Sequence, residues 1–196
     1  MHKLYSHSGI ILSVRSSGEK SSFVSLLSRG LGKISAKAVS SRAASGKLKG
    51  HIMPYSAGVY TLVRGKEGWK LIQAEVKENF LSSLKDLPKK KIVARVCQLI
   101  AKIVGEEGEP KLFDCIYTGL KTLAGLDSYV VKTFEVVLVG RILNILGFLS
   151  FADLPESLKD FNNFSDRALL EVKHFEKELV QRINNGLKES NLVKTV

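Results

Sequence analysis

A stretch of small and basic residues between positions 32 and 55 has the composition of a phosphate-binding loop. It contains five cations and no acidic residue, and most positions between the cations are serine, alanine or glycine. Cations on a flexible segment of small residues can follow a sugar-phosphate backbone without distinguishing one base from another. The pattern therefore predicts ionic binding of a nucleic acid. The five cations are Lys33, Lys37, Arg42, Lys47 and Lys49.

Further cations and several aromatic residues lie on either side of this stretch. Base stacking on an aromatic ring contributes roughly 1–3 kcal/mol per base in single-strand binders. We expect Phe23 and Tyr60 to be core residues, and Trp69, which follows a glycine in a predicted turn, to stack on a base. Beyond the stretch itself, the predicted binding residues are Arg15, Lys20, Arg64, Lys66, Trp69 and Lys70.

The sequence contains none of the short patterns that would indicate an enzyme. It has no P-loop, no Gly-x-Gly-x-x-Gly after a strand, no His-Glu-x-x-His and no Gly-x-Ser-x-Gly. The four histidines are scattered, and Cys97 and Cys115 form no Cys-x-x-Cys pair. We therefore expect no catalytic residue, no cofactor and no metal, and two reduced, buried thiols.

The net charge of +11 is concentrated in the first third of the chain. Residues 1–72 contain 12 lysines and arginines and only two acids, Glu19 and Glu67, whereas residues 73–196 contain 18 bases and 17 acids. A charge that served only solubility would not need to be segregated. We expect a polyanion-binding module followed by a neutral one, and nucleic acid is the favoured polyanion because neutralised phosphates release condensed counterions.

The hydrophobic period changes near residue 76. Short β-branched runs separated by glycines predict five strands before that point, and a period of 3.6 predicts helices after it. The expected fold is α+β, with a five-stranded OB-fold barrel over residues 1–76 and an all-helical domain over residues 77–196; an SH3-like barrel fits the strand pattern almost as well. The predicted strands are 9–14, 22–27, 33–39, 58–64 and 71–76, and the predicted helices are 78–87, 88–105, 110–125, 128–147 and 165–188.

No segment has the character of a secretory signal or a membrane span. The longest apolar run, residues 136–149, is interrupted by Arg141 and Asn144 and is too short to cross a bilayer. We expect a cytoplasmic, nucleoid-associated protein that does not bind membranes.

Several short motifs resemble, in their order and spacing, the RecO family of bacterial recombination mediators. The resemblance covers about residues 3–150. The motifs are Ser8-Gly9-Ile10-Ile11-Leu12, Gly18-Glu19-Lys20, Gly32-Lys33-Ile34, Lys47-Leu48-Lys49-Gly50 with Pro54-Tyr55, Lys111-Leu112-Phe113, and Phe134-Glu135 with Leu146-Gly147-Phe148.

The resemblance implies an N-terminal OB-fold, a helical domain, binding of single- and double-stranded DNA, and strand annealing without a nucleotide. It also implies two partners, RecR and the acidic C-terminal tail of the single-strand binding protein, with which the family loads the RecA recombinase onto coated DNA in the RecF pathway. Many members carry four zinc-binding cysteines after the Leu-Gly-aromatic helix. Residues 149–164 contain no cysteine, so we predict no metal.

The resemblance leads to a mechanism in which the barrel neutralises two phosphate backbones at once and so lowers the repulsion between complementary strands. We expect Lys33, Arg42, Lys47 and Lys49 to be the main phosphate ligands. In the helical half, we expect an apolar groove for the acidic tail. The predicted partner-binding residues there are Lys132, which would pair with the terminal carboxylate of the tail, and Arg141.

Two other classes of protein fit the same charge and fold. One is an RNA-binding OB module associated with translation or with ribosomes, which would discriminate RNA from DNA through the 2′-hydroxyl. The other is a scaffold whose basic face binds an acidic protein, for which DNA affinity would depend weakly on salt.

Overall fold

The computed structural model describes residues 3–19, 21–39, 48 and 50–189 of the chain. The chain divides into two compact units, Met1–Pro110 and Lys111–Val196. Within the first unit, strands give way to helices between Asn79 and Leu87. The predicted α+β class, with the strands first, is confirmed, and a domain boundary at residue 76 stays a prediction.

Five strands of the first unit close into a barrel. Their order is β1-β2-β3-β5-β4, and β1 pairs with both β2 and β4. Only the contact between β3 and β5 is parallel. This is the OB-fold arrangement, which decides against the SH3-like alternative. The strands are β1 (Leu4–Ser17), β2 (Ser21–Ser28), β3 (Gly32–Ala38), β4 (Ser56–Gly65) and β5 (Gly68–Asn79).

Gly9 of β1 occupies a position where the barrel leaves no room for a side chain. Gly9 lies opposite Ser28 of β2 and also opposite Gly58 of β4. A Cβ atom at Gly9 would lie 2.8 Å from Leu26 Cδ1 and 2.9 Å from Tyr60 Cδ2. Any larger residue at this position would therefore push against the barrel core.

Alternating side chains fill the barrel. Along β3, every second residue from Gly32 to Ala38 is buried, and the residues between them face outward. Tyr60 of β4 is fully buried, its hydroxyl donates to Ser56 O at 3.2 Å, and burial raises its pKa. The predicted core position of Tyr60 is confirmed. The core cluster comprises Ile11, Val24, Leu26, Ile34, Ala36, Ala38, Leu48, Tyr60, Leu62 and Leu71.

The described segment 78–87 forms a strand end and a turn, so the helix predicted there is wrong. β5 continues to Asn79, and Asn79 Oδ1 then accepts hydrogen bonds from Leu81 N at 3.0 Å and Ser82 N at 3.2 Å. An asparagine side chain that bonds backbone two or three residues further on favours a turn over a helix. The helix α1 (Leu87–Ile103) begins after this turn, with Pro88 in its first turn as predicted.

The second unit is helical, and α3 is buried over most of its surface. A helix that is apolar on most of its faces is typical of the centre of a bundle. A Cβ atom at Gly119 of α2 would lie 3.0 Å from Leu138 Cδ1 of α3, so the glycine allows these helices to pack closely. The helices are α2 (Pro110–Thr122), α3 (Val131–Ile145), α4 (Asp166–Lys173) and α5 (Glu176–Glu189).

The last predicted helix is divided in two. His174 and Phe175 form a turn between α4 and α5, and Phe175 is exposed there. Ser165 caps α4, and its Oγ accepts from Ala168 N at 3.4 Å.

Both cysteines are buried free thiols, as predicted. Cys97 lies in α1 of the first unit and Cys115 in α2 of the second. Burial raises the pKa of each thiol to about 12, so both stay protonated at neutral pH.

Candidate nucleic-acid interface

One end of the barrel's outer surface is covered by α1 and the segment that follows it. Lys33 N donates to Gly105 O at 2.8 Å, and Lys33 Nζ donates to Ala101 O at 2.7 Å. A Cβ atom at Gly32 would lie 2.5 Å from Glu107 O, which shows how closely the two segments approach. The ammonium of Lys33 thus binds the C-terminal end of α1, where the helix dipole favours a cation. Its predicted role as a phosphate ligand stays a prediction.

Next to this covered end, a row of four residues crosses four strands on the outer face. Strand register places Arg15 of β1 opposite Phe23 of β2. Phe23 in turn lies opposite Lys37 of β3, and Lys37 pairs with Lys70 of β5. Directly opposed residues share a face of a sheet. These four residues, which we call the outer row, therefore lie side by side over three strand spacings, or about 14 Å.

The three cations of the outer row have no carboxylate partner among the residues that the structure describes. Lys37 and Lys70 are also directly opposed. Like charges on neighbouring strands repel each other, and the repulsion destabilises the strand pair. The barrel thus carries an unfavourable charge arrangement that a bound anion would relieve.

Phe23 faces solvent with 45% of its surface exposed. The prediction that it belongs to the core is therefore wrong. The buried positions of β2 on either side of it are Ser22 and Val24, so the alternation of the strand turns Phe23 outward. Its ring stands in the middle of the outer row, between Arg15 and Lys37.

A row of hydroxyl groups runs beside the outer row. Ser13 of β1, Ser25 of β2 and Ser35 of β3 lie opposite one another, and each is two residues from a member of the outer row. They therefore share its face. Serine hydroxyls are common hydrogen-bond donors to phosphate oxygens, so the two rows together offer both ionic and hydrogen-bonding groups to a phosphate backbone.

The hairpin between β4 and β5 contains Lys66, another residue that the sequence predicts to bind nucleic acid. Its turn consists of Lys66 and Glu67, between the paired Gly65 and Gly68. Lys66 helps to line an open depression whose rim includes Lys70. The structure therefore brings Lys66 to the edge of the outer row.

Arg64 and Trp69, the other two residues of this hairpin that were predicted to bind nucleic acid, contact each other. Trp69 packs against the barrel core, and its ring meets that of Tyr5 edge-on, with centroids 5.1 Å apart. The guanidinium of Arg64 lies 5.6 Å from the centre of the Trp69 ring. A base would have to displace Arg64 to stack on that side of the ring, and the predicted stacking role of Trp69 stays a prediction.

Four further predicted phosphate ligands lie outside the described residues. They are Lys20, Arg42, Lys47 and Lys49. Their roles stay predictions.

Lys132, one of the two predicted partner-binding residues, already binds a carboxylate. Its side chain is 83% exposed, and its Nζ lies 2.7 Å from Glu176 Oε1. Glu176 also accepts from Thr133 Oγ1 at 2.8 Å. Burial would raise the pKa of Glu176, but the hydrogen bonds from Lys132 and Thr133 outweigh it and hold that pKa below its ordinary value. A role for Lys132 in binding a partner stays a prediction.

Arg141 is 1% exposed, which corrects its predicted role in partner binding. Its Nε donates to Leu158 O at 3.1 Å, Nη1 to Asn163 O at 2.9 Å and Nη2 to Ser157 O at 2.7 Å. The guanidinium also lies 4.5 Å from the centre of the Phe164 ring. Burial lowers its pKa to about 10, so it is still charged at neutral pH. Arg141 holds the loop after α3 in place and does not face an incoming protein.

The described part of the chain contains neither a metal-binding cluster nor a helix that could span a membrane. No group of three histidine, cysteine, aspartate or glutamate side chains there is arranged to hold a metal ion. None of the helices described is both long enough and apolar enough to span a bilayer.

The part of the chain that forms the barrel matches a known protein family. Residues 1–80 match the family model described as recombination protein O, N-terminal. The DNA repair protein RecO of Desulforamulus reducens is 29% identical over 141 residues, which is 70% of this chain and 55% of that protein. RecO of Pelotomaculum thermopropionicum is 29% identical over 149 residues, covering 74% of this chain and 56% of that protein. RecO of Clostridium perfringens is 26% identical over 136 residues, covering 67% and 55%.

The chain spans about half the length of the curated relatives it matches. The matched region contains the whole barrel together with the outer row. The resemblance seen in the sequence motifs is therefore confirmed: residues 1–80 match the N-terminal model of the RecO family, and the chain is similar to curated RecO proteins.

Proposed function

We propose that this chain is a DNA repair and recombination mediator that binds DNA through the outer face of its barrel. The observation that carries the proposal is the outer row, in which Arg15, Lys37 and Lys70 are aligned without a carboxylate partner among the described residues. The names of the relatives support DNA as the polyanion, since each is a DNA repair protein.

The proposed mechanism has no covalent step. Cations of the outer row bind the phosphates of one strand and release its counterions, which favours binding at low salt. A second strand held on the same basic surface then meets a partly neutralised partner, so complementary strands anneal faster. In this proposal the chain acts in the RecF pathway and helps to load the recombinase onto DNA coated with the single-strand binding protein.

Two protein partners belong to the proposal, RecR and the acidic C-terminal tail of the single-strand binding protein. The pairing of Lys132 with Glu176 supports a site for a carboxylate at this position. A terminal carboxylate of the tail would compete with Glu176 for the same ammonium. Lys132→Glu should weaken binding of a tail peptide, and unchanged binding would remove Lys132 from the proposal.

The test is annealing of two complementary oligonucleotides coated with single-strand binding protein. We expect the chain to accelerate annealing at low salt, and the acceleration to fade at higher salt and in the variant Arg15→Gln/Lys37→Gln/Lys70→Gln. The matched control is Lys121→Gln/Lys177→Gln/Lys188→Gln, which removes three exposed cations from the second unit and should anneal like wild type.

Two outcomes would overturn this proposal in favour of another class of protein. No acceleration, with tighter binding of the same sequence as RNA, would indicate an RNA-binding module. No acceleration, with DNA affinity that hardly changes with salt, would indicate a scaffold for an acidic protein.

A further inference from the structure

We infer that Phe23 stacks on an unpaired base, so that the outer row binds single-stranded DNA in preference to duplex. The inference rests on the proposed DNA-binding function and adds a residue that no cation pattern indicates. It concerns the geometry of one face of the barrel, where an exposed phenyl ring stands between two cations.

The position of Phe23 sets it apart from an ordinary exposed apolar residue. Single apolar side chains on a surface are common and need no explanation. Phe23, however, is flanked on both neighbouring strands, by Arg15 on one side and Lys37 on the other. Neither strand places an apolar residue directly opposite Phe23, so the ring has no apolar partner at the closest cross-strand positions. A ligand with an apolar face and an anionic backbone would satisfy all three residues.

A single strand of DNA has this combination of groups. Each base has a flat face, and a phosphate precedes and follows each nucleoside. Cross-strand neighbours are about 5 Å apart, and the long side chains of Arg15 and Lys37 reach further outward than a phenyl ring. A base stacked on Phe23 would therefore have one cation on each side for its flanking phosphates. The hydroxyls of the adjacent serine row are within the same face.

Duplex DNA exposes its phosphates but not the flat faces of its bases. In a double helix each base is covered above and below by its neighbours, and exposing one costs a few kcal/mol of unstacking. A duplex would contact the cations of the outer row and leave Phe23 unused. The face should therefore discriminate between the two forms through this one ring.

Two more exposed apolar side chains extend the surface in the same direction. Val39 lies two residues beyond Lys37, and Ile72 lies two residues beyond Lys70. Both are exposed, as is Phe23. The face thus alternates cationic and apolar groups, as expected for a surface that contacts both the phosphates and the bases of a single strand.

The test compares a short oligothymidine with a duplex of the same length. We expect Phe23→Ala to weaken binding of the oligothymidine roughly 5- to 150-fold, the range of one lost stacking interaction, and to change duplex affinity less than about twofold. Phe23→Tyr should restore binding, because a phenol ring stacks as well as a phenyl ring. Tyr129→Ala is the control, since Tyr129 is similarly exposed at 52% but lies in the second unit.

A fluorescence measurement covers the case in which Phe23→Ala does not fold. Trp69 is the chain's single tryptophan. In a Trp69→Phe background, Phe23→Trp would be the sole reporter, and its emission should be quenched by oligothymidine and not by duplex. Quenching by both forms or by neither would contradict the inference.

The outcomes separate this inference from the proposed function. If Phe23→Ala binds oligothymidine like wild type while Arg15→Gln/Lys37→Gln/Lys70→Gln does not bind it, the inference fails and the proposed function stands. Equal losses on oligothymidine and duplex would also overturn the inference, as would tighter binding of single-stranded RNA. If the wild-type chain binds neither form of DNA, the proposed function itself fails.

Discussion

The outer row of the first unit differs from the ion pairs of the second unit in what its cations contact. Residues 111–196 contain 11 bases and 11 acids, and the structure pairs Lys132 with Glu176 and Arg182 with Glu178. The one buried arginine, Arg141, is satisfied by backbone carbonyls. Residues 1–110 carry the whole net charge of +11, and the cations of the outer row have no carboxylate partner in the described part of the barrel.

This difference separates charges that serve the fold from charges that serve a ligand. A cation paired within its own unit contributes to stability or is neutral toward it, and an incoming anion must displace its partner to reach it. A cation held beside a like charge costs stability and is free to bind. By this criterion Lys132 and Arg182 serve the structure of the second unit, and in the function we propose the outer row of the barrel holds its cations for a polyanion.

The largest expected effect is on stability, from removal of Arg141. Arg141→Ala leaves three buried or part-buried carbonyls without their donor and opens a cavity beside Phe164, so we expect a loss of about 3 kcal/mol or more in the free energy of unfolding. DNA affinity, corrected for the folded fraction, should be unchanged. Chemical denaturation followed by circular dichroism measures the loss.

The control for this substitution is Arg167→Ala. Arg167 is an exposed arginine of the same unit whose guanidinium lies 3.5 Å from Glu171, and its removal should cost less than about 1 kcal/mol. Equal effects of the two substitutions would remove the structural role that we assign to Arg141.

A second, smaller effect should run in opposite directions for stability and binding. Lys37→Glu replaces the repulsion with Lys70 by attraction, so the barrel should gain roughly 0.5 kcal/mol. The same change should weaken DNA binding roughly 10-fold or more, because a contact to a charged group is lost. Thermal unfolding and fluorescence anisotropy on one preparation test both parts, with Lys177→Glu as the control. A variant that lost stability and kept its affinity would reverse our view of the outer row.

The smallest expected effect concerns the pH dependence of the second unit. Because the pKa of Glu176 is lowered in the folded state, its stabilising contribution is complete above the ordinary carboxyl pKa of about 4.3 and is lost as the pH falls through the lowered value. Glu176→Gln should therefore lower the melting temperature at pH 7 by an amount worth less than about 1 kcal/mol. The difference from wild type should vanish in acid.

Melting curves of both proteins at about pH 7 and about pH 3 provide this comparison. A difference that persisted unchanged in acid would show that the pair of Lys132 and Glu176 is not the cause. Glu171→Gln, which removes the longer and more exposed pair with Arg167, is the control and should have a smaller effect at pH 7.

The sequence predicted the barrel well because its signals are local. Each strand has its own β-branched run, and glycines mark the turns, so the five strands fall close to their predicted positions. The error at 78–87 arose because the hairpin pairing with β4 extends β5 to Asn79, where Asn79 lies opposite Ser56, 23 residues earlier in the chain. A periodic pattern of apolar residues does not reveal such a pairing.

The site was only partly predictable, for a related reason. The cations of the outer row were identified as binding residues by their composition, but their alignment depends on register between strands. In β2, Phe23 and Val24 are adjacent apolar residues, and only the register decides which of them faces the core. For Arg141 a signal was present in the sequence, since a single arginine within a long apolar run indicates a buried and satisfied side chain.

The most direct test of the account is the salt dependence of binding to oligothymidine, measured for wild type and for Arg15→Gln/Lys37→Gln/Lys70→Gln. If the outer row binds phosphates, a log–log plot of affinity against salt should be shallower in the variant by about 2, since each single-strand phosphate contact contributes a slope of about −0.7. The three substitutions at Lys121, Lys177 and Lys188 should leave the slope unchanged. Equal slopes for wild type and the outer-row variant would contradict the claim that this face of the barrel binds DNA.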